Sequence, residues 1–302
     1  MSLRLPFESV ESLDAEQAQL QKELSQRQRT FNGLTAKEWT LLSRNVWNDL
    51  SSPRHERHLE HGAVFPVKLA ARLITILSAP GDLVLDPFAG IGSTLIAALQ
   101  EGRESIGIEL SQRFVDLADA WIDEEKETIR SELAARLVCD DVRNLRSHLA
   151  PESVALTVTS PPYADFIRRS INDRKKTHKK SRLVYENNSR VKTYSDDPRD
   201  FGNLSYDDFL VSCQVVLSDL LHVTREEGYA AWVVKDYRLP PERPYVPFHS
   251  DFASVAQEAG WLWHDLIVWD QNDQRSLVLL GYPSRFYSNQ NCSFIVILRK
   301  AA

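Results

Sequence analysis

The rhythm of apolar and polar positions changes near Val67. Before it, residues 14–30 scatter Leu and Ala among Gln and Glu, which predicts an exposed helix. Residues 34–50 carry Trp39 and Trp47 and predict a second helix packed on the main body. Residues 67–77 place apolar side chains at helical spacing, and from there short apolar runs alternate with helical stretches. The runs predict strands at 83–85, 105–108, 136–139, 155–158, 229–234, 262–269 and 293–298. Helices are expected from Thr94 to Leu99 and over 112–135, 206–225 and 248–259. Strands that alternate with helices make a mostly parallel sheet covered on both faces, an α/β fold. The last two strands are linked by a loop alone, so one of them is expected to run antiparallel.

This pattern divides the chain into an N-terminal helical extension, 1–62, and an α/β domain, 63–302. The length of 302 residues suffices for one large core. No apolar run reaches the length of a membrane span, and the polar N-terminus does not read as a signal peptide, so a reducing cytoplasm is the expected setting. Cys139, Cys213 and Cys292 are far apart and odd in number, which argues against a disulfide framework or a zinc site. His55, His58 and His61 form a charged loop that suits a surface or phosphate contact better than a metal, and no metal is expected.

Charge changes the picture. The net charge is −6, which by itself does not suggest a polyanion partner. Between Arg168 and Lys192, however, ten basic residues face only Asp173 and Glu186, a local +8 on a remainder of −14. The basic residues are Arg168, Arg169, Arg174, Lys175, Lys176, Lys179, Lys180, Arg182, Arg190 and Lys192. They lie in an insertion at about 164–204 that suits contact with a polyanion, and Asn187, Asn188, Ser189 and Arg190 could read base edges if that polyanion is a nucleic acid. A lone basic run is more often a solvated loop; its place directly after Tyr163 is what favours the functional reading.

The candidate chemistry sits at the strand ends, where open α/β sheets bind ligands. Asp86 and the turn 87–92 end the first strand of the domain, with Phe88, Gly90 and Gly92 in the turn. Glycine there lets the backbone approach a ligand closely. Glu109 ends the second strand, 17 residues after Gly92, where an acidic residue can hold ribose hydroxyls. Asp140 and Asp141 end the third, and Ser160, Pro161, Pro162 and Tyr163 the fourth. A glycine turn followed by an acidic strand end also suits a nicotinamide dinucleotide. The missing third glycine and the placement of Asp86, suited to a ligand amine, argue against that.

The segment Asp86-Pro87-Phe88-Ala89-Gly90-Ile91-Gly92-Ser93-Thr94 is similar to the cofactor motif of the amino DNA methyltransferases, and Thr159-Ser160-Pro161-Pro162-Tyr163 resembles their catalytic motif in its cytosine-N4 form. Phe65 and Pro66, with the helix that follows, resemble the segment that covers the methionine end of the cofactor. Resemblance runs from about Phe65 to Lys300. Ile91 and Ser93 depart from the usual cofactor motif, Asn291-Cys292 replaces a His-Glu pair, and the cofactor motif here precedes the catalytic one. The resemblance implies a class I, Rossmann-like methyltransferase with S-adenosyl-L-methionine as cofactor and double-stranded DNA as partner. Phe65, Pro66, Phe88, Gly90 and Gly92 would line the methionine part, Asp86 its amine, Glu109 the ribose and Asp140 or Asp141 the adenine amine.

The second motif has a chemical rationale. A base amine is a poor nucleophile because its lone pair is delocalised into the ring. The Ser160 hydroxyl and the Pro161 carbonyl can accept its protons, a Pro-Pro turn fixes where the carbonyls point, and Tyr163 offers a stacking face for a flipped base. Cytosine N4 is the expected target. Adenine N6, an RNA base, or a non-catalytic nucleic-acid-binding module on the same fold are the alternatives. Carbon-5 chemistry is set aside because the chain has no Pro-Cys dipeptide. No second, nuclease-like domain is evident, so a restriction endonuclease would be a separate chain; a homodimer stays open.

Overall fold

A computed structural model describes residues 10–50, 66–163, 197–239, 243–273, 286, 288 and 290–302. Phe65, the His55–His61 loop and the ten basic residues of the insertion lie outside the described residues.

The sheet is built from β1 (Val46–Trp47), β2 (Leu83–Asp86), β3 (Glu104–Glu109), β4 (Ala135–Cys139), β5 (Val154–Thr159), β6 (Thr224–Val234), β9 (Leu262–Asp270) and β10 (Cys292–Arg299). Their spatial order is β1-β9-β10-β6-β5-β2-β3-β4. Strands β2 to β6 pair in parallel, while β10 runs antiparallel to both β6 and β9. The expected antiparallel strand is therefore the last one. It lies between β6 and β9 and pairs with both. All six residues of β5 are buried, as a strand covered on both faces requires.

The helices are α1 (Val10–Arg27), α2 (Ala36–Leu42), α3 (Val67–Leu77), α4 (Ser93–Gln100), α5 (Gln112–Ile129), α6 (Tyr206–Val223) and α7 (Phe248–Glu258). One face of the sheet packs Leu69, Leu73 and Ile74 of α3 against Val84, Leu156 and Val158. The other packs Phe209, Cys213 and Leu217 of α6 and Phe252 of α7 against Leu85, Trp232 and Val296.

Three expectations need correction. Residues 34–50 are not one helix: α2 ends at Leu42, and Trp47 lies on β1, paired in parallel with Trp269 of β9. Trp47 and Leu50 join the core cluster of α3, so the N-terminal extension completes the main sheet. The helix expected over 112–135 stops at Ile129, where Arg130 adopts a left-handed φ of 53°. That conformation breaks the i→i−4 ladder and turns the chain into β4. The helix expected to Arg225 stops at Val223, and β6 starts at once, five residues earlier than the apolar run suggests. A hairpin of β7 (Tyr237–Leu239) and β8 (Arg243–Val246) was not expected. Pro240, Pro241, Pro244 and Pro247 conceal it, since proline depresses strand propensity.

Candidate active site

The strand order reverses direction between β2 and β5: β3 and β4 follow on one side of β2, β6 on the other side of β5. A crevice at this switch point is where such sheets take a ligand. Asp86 ends β2 and Thr159 ends β5, and the Thr159 hydroxyl donates to Asp86 Oδ1 at 2.6 Å. Asp86 also accepts the Phe88 N–H at 3.1 Å and the Thr94 hydroxyl at 2.6 Å. Only 1% of Asp86 is exposed, and burial pushes its carboxyl up to about 6. The side chain expected to face a ligand amine is thus turned into the protein. It ties the start of the glycine turn, the first turn of α4 and the end of β5 into one unit.

The turn itself is bent by Gly90 and Gly92, whose φ values are 53° and 86°. A side chain at Gly92 would be strained at this φ, and its Cβ would come within 3.2 Å of Ala118 Cβ. Gly107 on β3 lies beneath: a Cβ there would meet Ala89 Cβ at 2.7 Å, so the turn rests directly on the strand backbone. Phe88 packs its ring on Phe201 and Trp232, at centroid separations of 5.4 and 6.1 Å.

Glu109 ends β3 beside this turn. Its Oε2 accepts the Gly90 N–H and its Oε1 the Ser111 N–H, both at 2.9 Å. Each oxygen keeps a further lone pair, so the carboxylate can still accept two hydroxyls. Burial pushes Glu109 up to about 7, against the two backbone donors that favour its charged form; the Asp200 and Asp86 carboxylates add to the rise.

Asp140 and Asp141 behave differently. Asp141 is 8% exposed, accepts the Arg143 N–H at 3.0 Å and pairs with the Arg143 guanidinium, capping the 3-10 helix Val142–Ser147. Asp140 is half-buried, with His148 Nε2 at 2.7 Å and Asn144 Nδ2 at 2.9 Å. Those two hydrogen bonds hold its carboxyl below the usual range. Of the pair, Asp140 is the more accessible.

The Ser160–Tyr163 turn leaves β5 next to the end of β6, since Thr159 pairs with Trp232. Ser160, Pro162 and Tyr163 are half-buried and Pro161 is buried. Tyr163 sets its ring edge-on to Phe248 at 6.0 Å. The structure therefore brings Asp86, Phe88, Gly90, Gly92, Glu109 and the Ser-Pro-Pro-Tyr turn to one edge of the sheet, with Asp140 and Asp141 at the next strand end. Pro66 N-caps α3 and is half-buried.

Asp200, Asp236 and His249 lie outside both motifs. Asp200 is 8% exposed, accepts the Gly202 N–H at 2.8 Å and lies near enough to Glu109 to raise it. Asp236, just past β6, is 3% exposed and receives Tyr245 and His249. Its position at a strand end was the available signal. His249 sits in a helical stretch and gave none. Among the described residues, no group of three His, Cys, Asp or Glu could hold a metal ion, and no helix is long and apolar enough to cross a membrane.

A mostly parallel sheet in this order, with its last strand inserted antiparallel and a glycine turn after its first central strand, defines the class I methyltransferase fold, a Rossmann-like architecture. Residues 8–120 match the model of the N6/N4 DNA methylase family, and the matched segment includes the glycine turn and Glu109. The chain is 40% identical over 106 residues to the type II methyltransferase M.MthZI of Methanothermobacter thermautotrophicus, covering 34% of this chain and 30% of that protein. It is 36% identical over 92 residues to the DNA adenine methyltransferase YhdJ of Escherichia coli, covering 30% of this chain and 31% of that one. The chain thus spans about a third of the length of these relatives. A solved TehB-like methyltransferase from Corynebacterium glutamicum is 15% identical, with a TM-score of 0.43 over 81% of this chain and 92% of that chain.

Proposed function

We propose that the chain is a DNA methyltransferase that transfers the methyl group of S-adenosylmethionine to an exocyclic base amine, with cytosine N4 as the target. The observation that carries this reading is the Thr159–Asp86 hydrogen bond, which joins the glycine turn to the Ser-Pro-Pro-Tyr turn across the switch point.

The residues fit the cofactor. Gly90 and Gly92 keep side chains out of the turn, and Glu109 retains two acceptor sites for a ribose diol. Phe88 offers an apolar wall, and Asp140 is the more exposed acceptor for an adenine amine. Phe65 and Pro66 would cover the methionine end, and Phe65 is carried by the sequence alone. When bound, the cofactor supplies an electrophilic methyl group on a sulfonium. The chain's own work is positioning: Ser160 and Pro161 accept the amine protons, Pro162 stiffens the turn, and Tyr163 stacks on the base. None of these groups is a covalent nucleophile, and an amine needs none.

The ten basic residues from Arg168 to Lys192 would neutralise phosphates of double-stranded DNA next to the target pocket. A cytoplasmic, nucleoid-associated enzyme acting opposite a separate restriction endonuclease is the setting this implies. Adenine N6 is the second reading, favoured by the similarity to the Escherichia coli adenine enzyme. The test is to express the chain in a methylation-free host, digest the DNA to nucleosides and identify the product by mass spectrometry. N4-methylcytosine supports the proposal. N6-methyladenine alone would move the target, and an unmodified nucleoside pool would remove DNA methylation.

A further inference from the structure

An amine that gains a methyl group must lose a proton. Nothing in the Ser-Pro-Pro-Tyr turn can keep it: a serine hydroxyl and a proline carbonyl accept hydrogen bonds but are not bases near neutral pH. We propose that His249, oriented by Asp236, is the proton acceptor of the target-amine site. The inference rests on the methyltransferase reading.

The geometry is that of an oriented imidazole. His249 Nδ1 lies 2.8 Å from both Asp236 carboxylate oxygens, and the His249 backbone N–H donates to Asp236 Oδ1 at 3.0 Å. A carboxylate opposite Nδ1 fixes the proton there, so the acceptor lone pair falls on Nε2. The ring is stacked on Phe294, with centroids 4.2 Å apart and planes 20° apart. Asp236 is 3% exposed and the His249 side chain 20%, so the pair has a buried anchor and an accessible rim. The Tyr245 hydroxyl donates to Asp236 Oδ2 at 2.5 Å, and Tyr245 itself is pushed up to about 12, chiefly by burial.

Its place in the fold is equally specific. Strands β5 and β6 are parallel neighbours, with Thr159 paired to Trp232, so the Ser160 turn and the stretch up to Asp236 leave the sheet side by side. Tyr163, the proposed stacking face, meets the ring of Phe248, the residue before His249. Besides Asp236 and Tyr245, the charged or titratable groups near the pair among the described residues include Lys235, Arg238 and Cys292. Lys235 donates to the Gln290 carbonyl at 2.7 Å, and Arg238 lies over the Tyr245 ring at 5.3 Å. Cys292 is pushed up by burial, with Lys235 and Asp236 in its field.

The step balances simply. The amine lone pair forms the N–CH3 bond, the S–CH3 bond breaks, and its electrons stay on sulfur as a thioether. One N–H proton passes to Nε2, giving an imidazolium held by the Asp236 carboxylate, and then leaves to water. The amine of the product is neutral.

Two measurements test this. The first needs no activity: nitrogen-15 NMR of histidine-labelled protein should show His249 as the Nδ1–H tautomer at pH 8. An Nε2–H tautomer would remove the acceptor and overturn the proposal. The second uses His249→Gln and His249→Ala with DNA from a methylation-free host and labelled cofactor. Turnover should fall by about a hundredfold or more while cofactor affinity stays within twofold, and the acidic limb of the native pH–rate profile should vanish in His249→Gln. Added imidazole should restore part of the His249→Ala rate, which a packing role would not allow. If His249→Gln turns over at the native rate with the native pH profile, His249 is not the acceptor, and the methyltransferase reading survives. If the native chain itself methylates nothing, that reading falls and the inference with it.

Discussion

The Thr159 hydroxyl and the Asp86 carboxylate meet at 2.6 Å across the neighbouring strands β5 and β2. Both residues are buried, and each closes a strand that carries a different half of the proposed site. Thr159→Val keeps the shape of the side chain and removes the donor. It should lower stability by about 1–3 kcal/mol, because a carboxylate shut away from water loses a partner. Urea unfolding measures the loss. An unchanged midpoint would mean that this contact does not bind the strands together.

Glu109 should make cofactor affinity depend on pH. Its carboxyl rests at about 7 in the ligand-free protein, and accepting ribose hydroxyls favours the charged form. Binding should therefore tighten as pH rises from about 6 to 8, with protons released, and Glu109→Gln should flatten that dependence. Isothermal titration calorimetry in buffers of different ionisation enthalpy reads both. Glu109→Ala should weaken binding by about 1.5–3 kcal/mol.

The same two raised carboxyls act on folding in the opposite direction. Asp86 at about 6 and Glu109 at about 7 both exceed ordinary carboxylate values, so the folded chain holds protons that the unfolded chain has released. Their contribution to stability is complete below about pH 4 and is lost as pH climbs through 6 and 7. Without cofactor, the urea midpoint should fall between pH 5 and 8. Glu109→Gln should remove the upper part of that slope; an identical slope in the variant would assign it elsewhere.

Ser160→Ala should cut turnover more than it cuts cofactor affinity, since its acceptor matters at the reacting nitrogen. Tyr163→Ala should lose stacking worth roughly 1–3 kcal/mol on the flipped base. Single-turnover rates beside cofactor titrations separate the two effects. Equal losses in rate and cofactor affinity would place these side chains in the cofactor pocket instead.

Replacing Lys175, Lys176, Lys179 and Lys180 together by neutral residues should weaken DNA binding and flatten its salt dependence, by up to roughly 0.9 log units per lost phosphate contact. Cofactor affinity should hold. A native salt slope in the quadruple variant would make the insertion an ordinary solvated loop.

Much of this fold could be read from the sequence because β2 to β5 are short and mostly apolar, with acidic or glycine ends after β2, β3 and β4 and a Pro-Pro turn after β5. Buried strands need that composition, and ligand sites need those ends. Trp47 misled because a two-residue strand has no period to detect, and its partner, Trp269, is 222 positions away. Asp86 is legible in the sequence as a strand-end carboxylate, while its hydrogen bonds from the Thr94 and Thr159 hydroxyls are visible only in the structure. The Asp236–His249 pair was illegible for a similar reason, since its members lie 13 residues apart with a hairpin between them.

That short first strand has an effect beyond the site. Strand β9 would otherwise present nine residues of unpaired main chain, a template for another molecule. Val46 and Trp47 occupy part of it, and the opposite margin, β4, is only five residues long and carries the exposed Arg136. Short margins and a charge discourage strand-to-strand growth between molecules. Deleting the first fifty residues would uncover β9 and invite aggregation at concentrations the full chain tolerates, although every residue of the proposed catalytic turn would still be present.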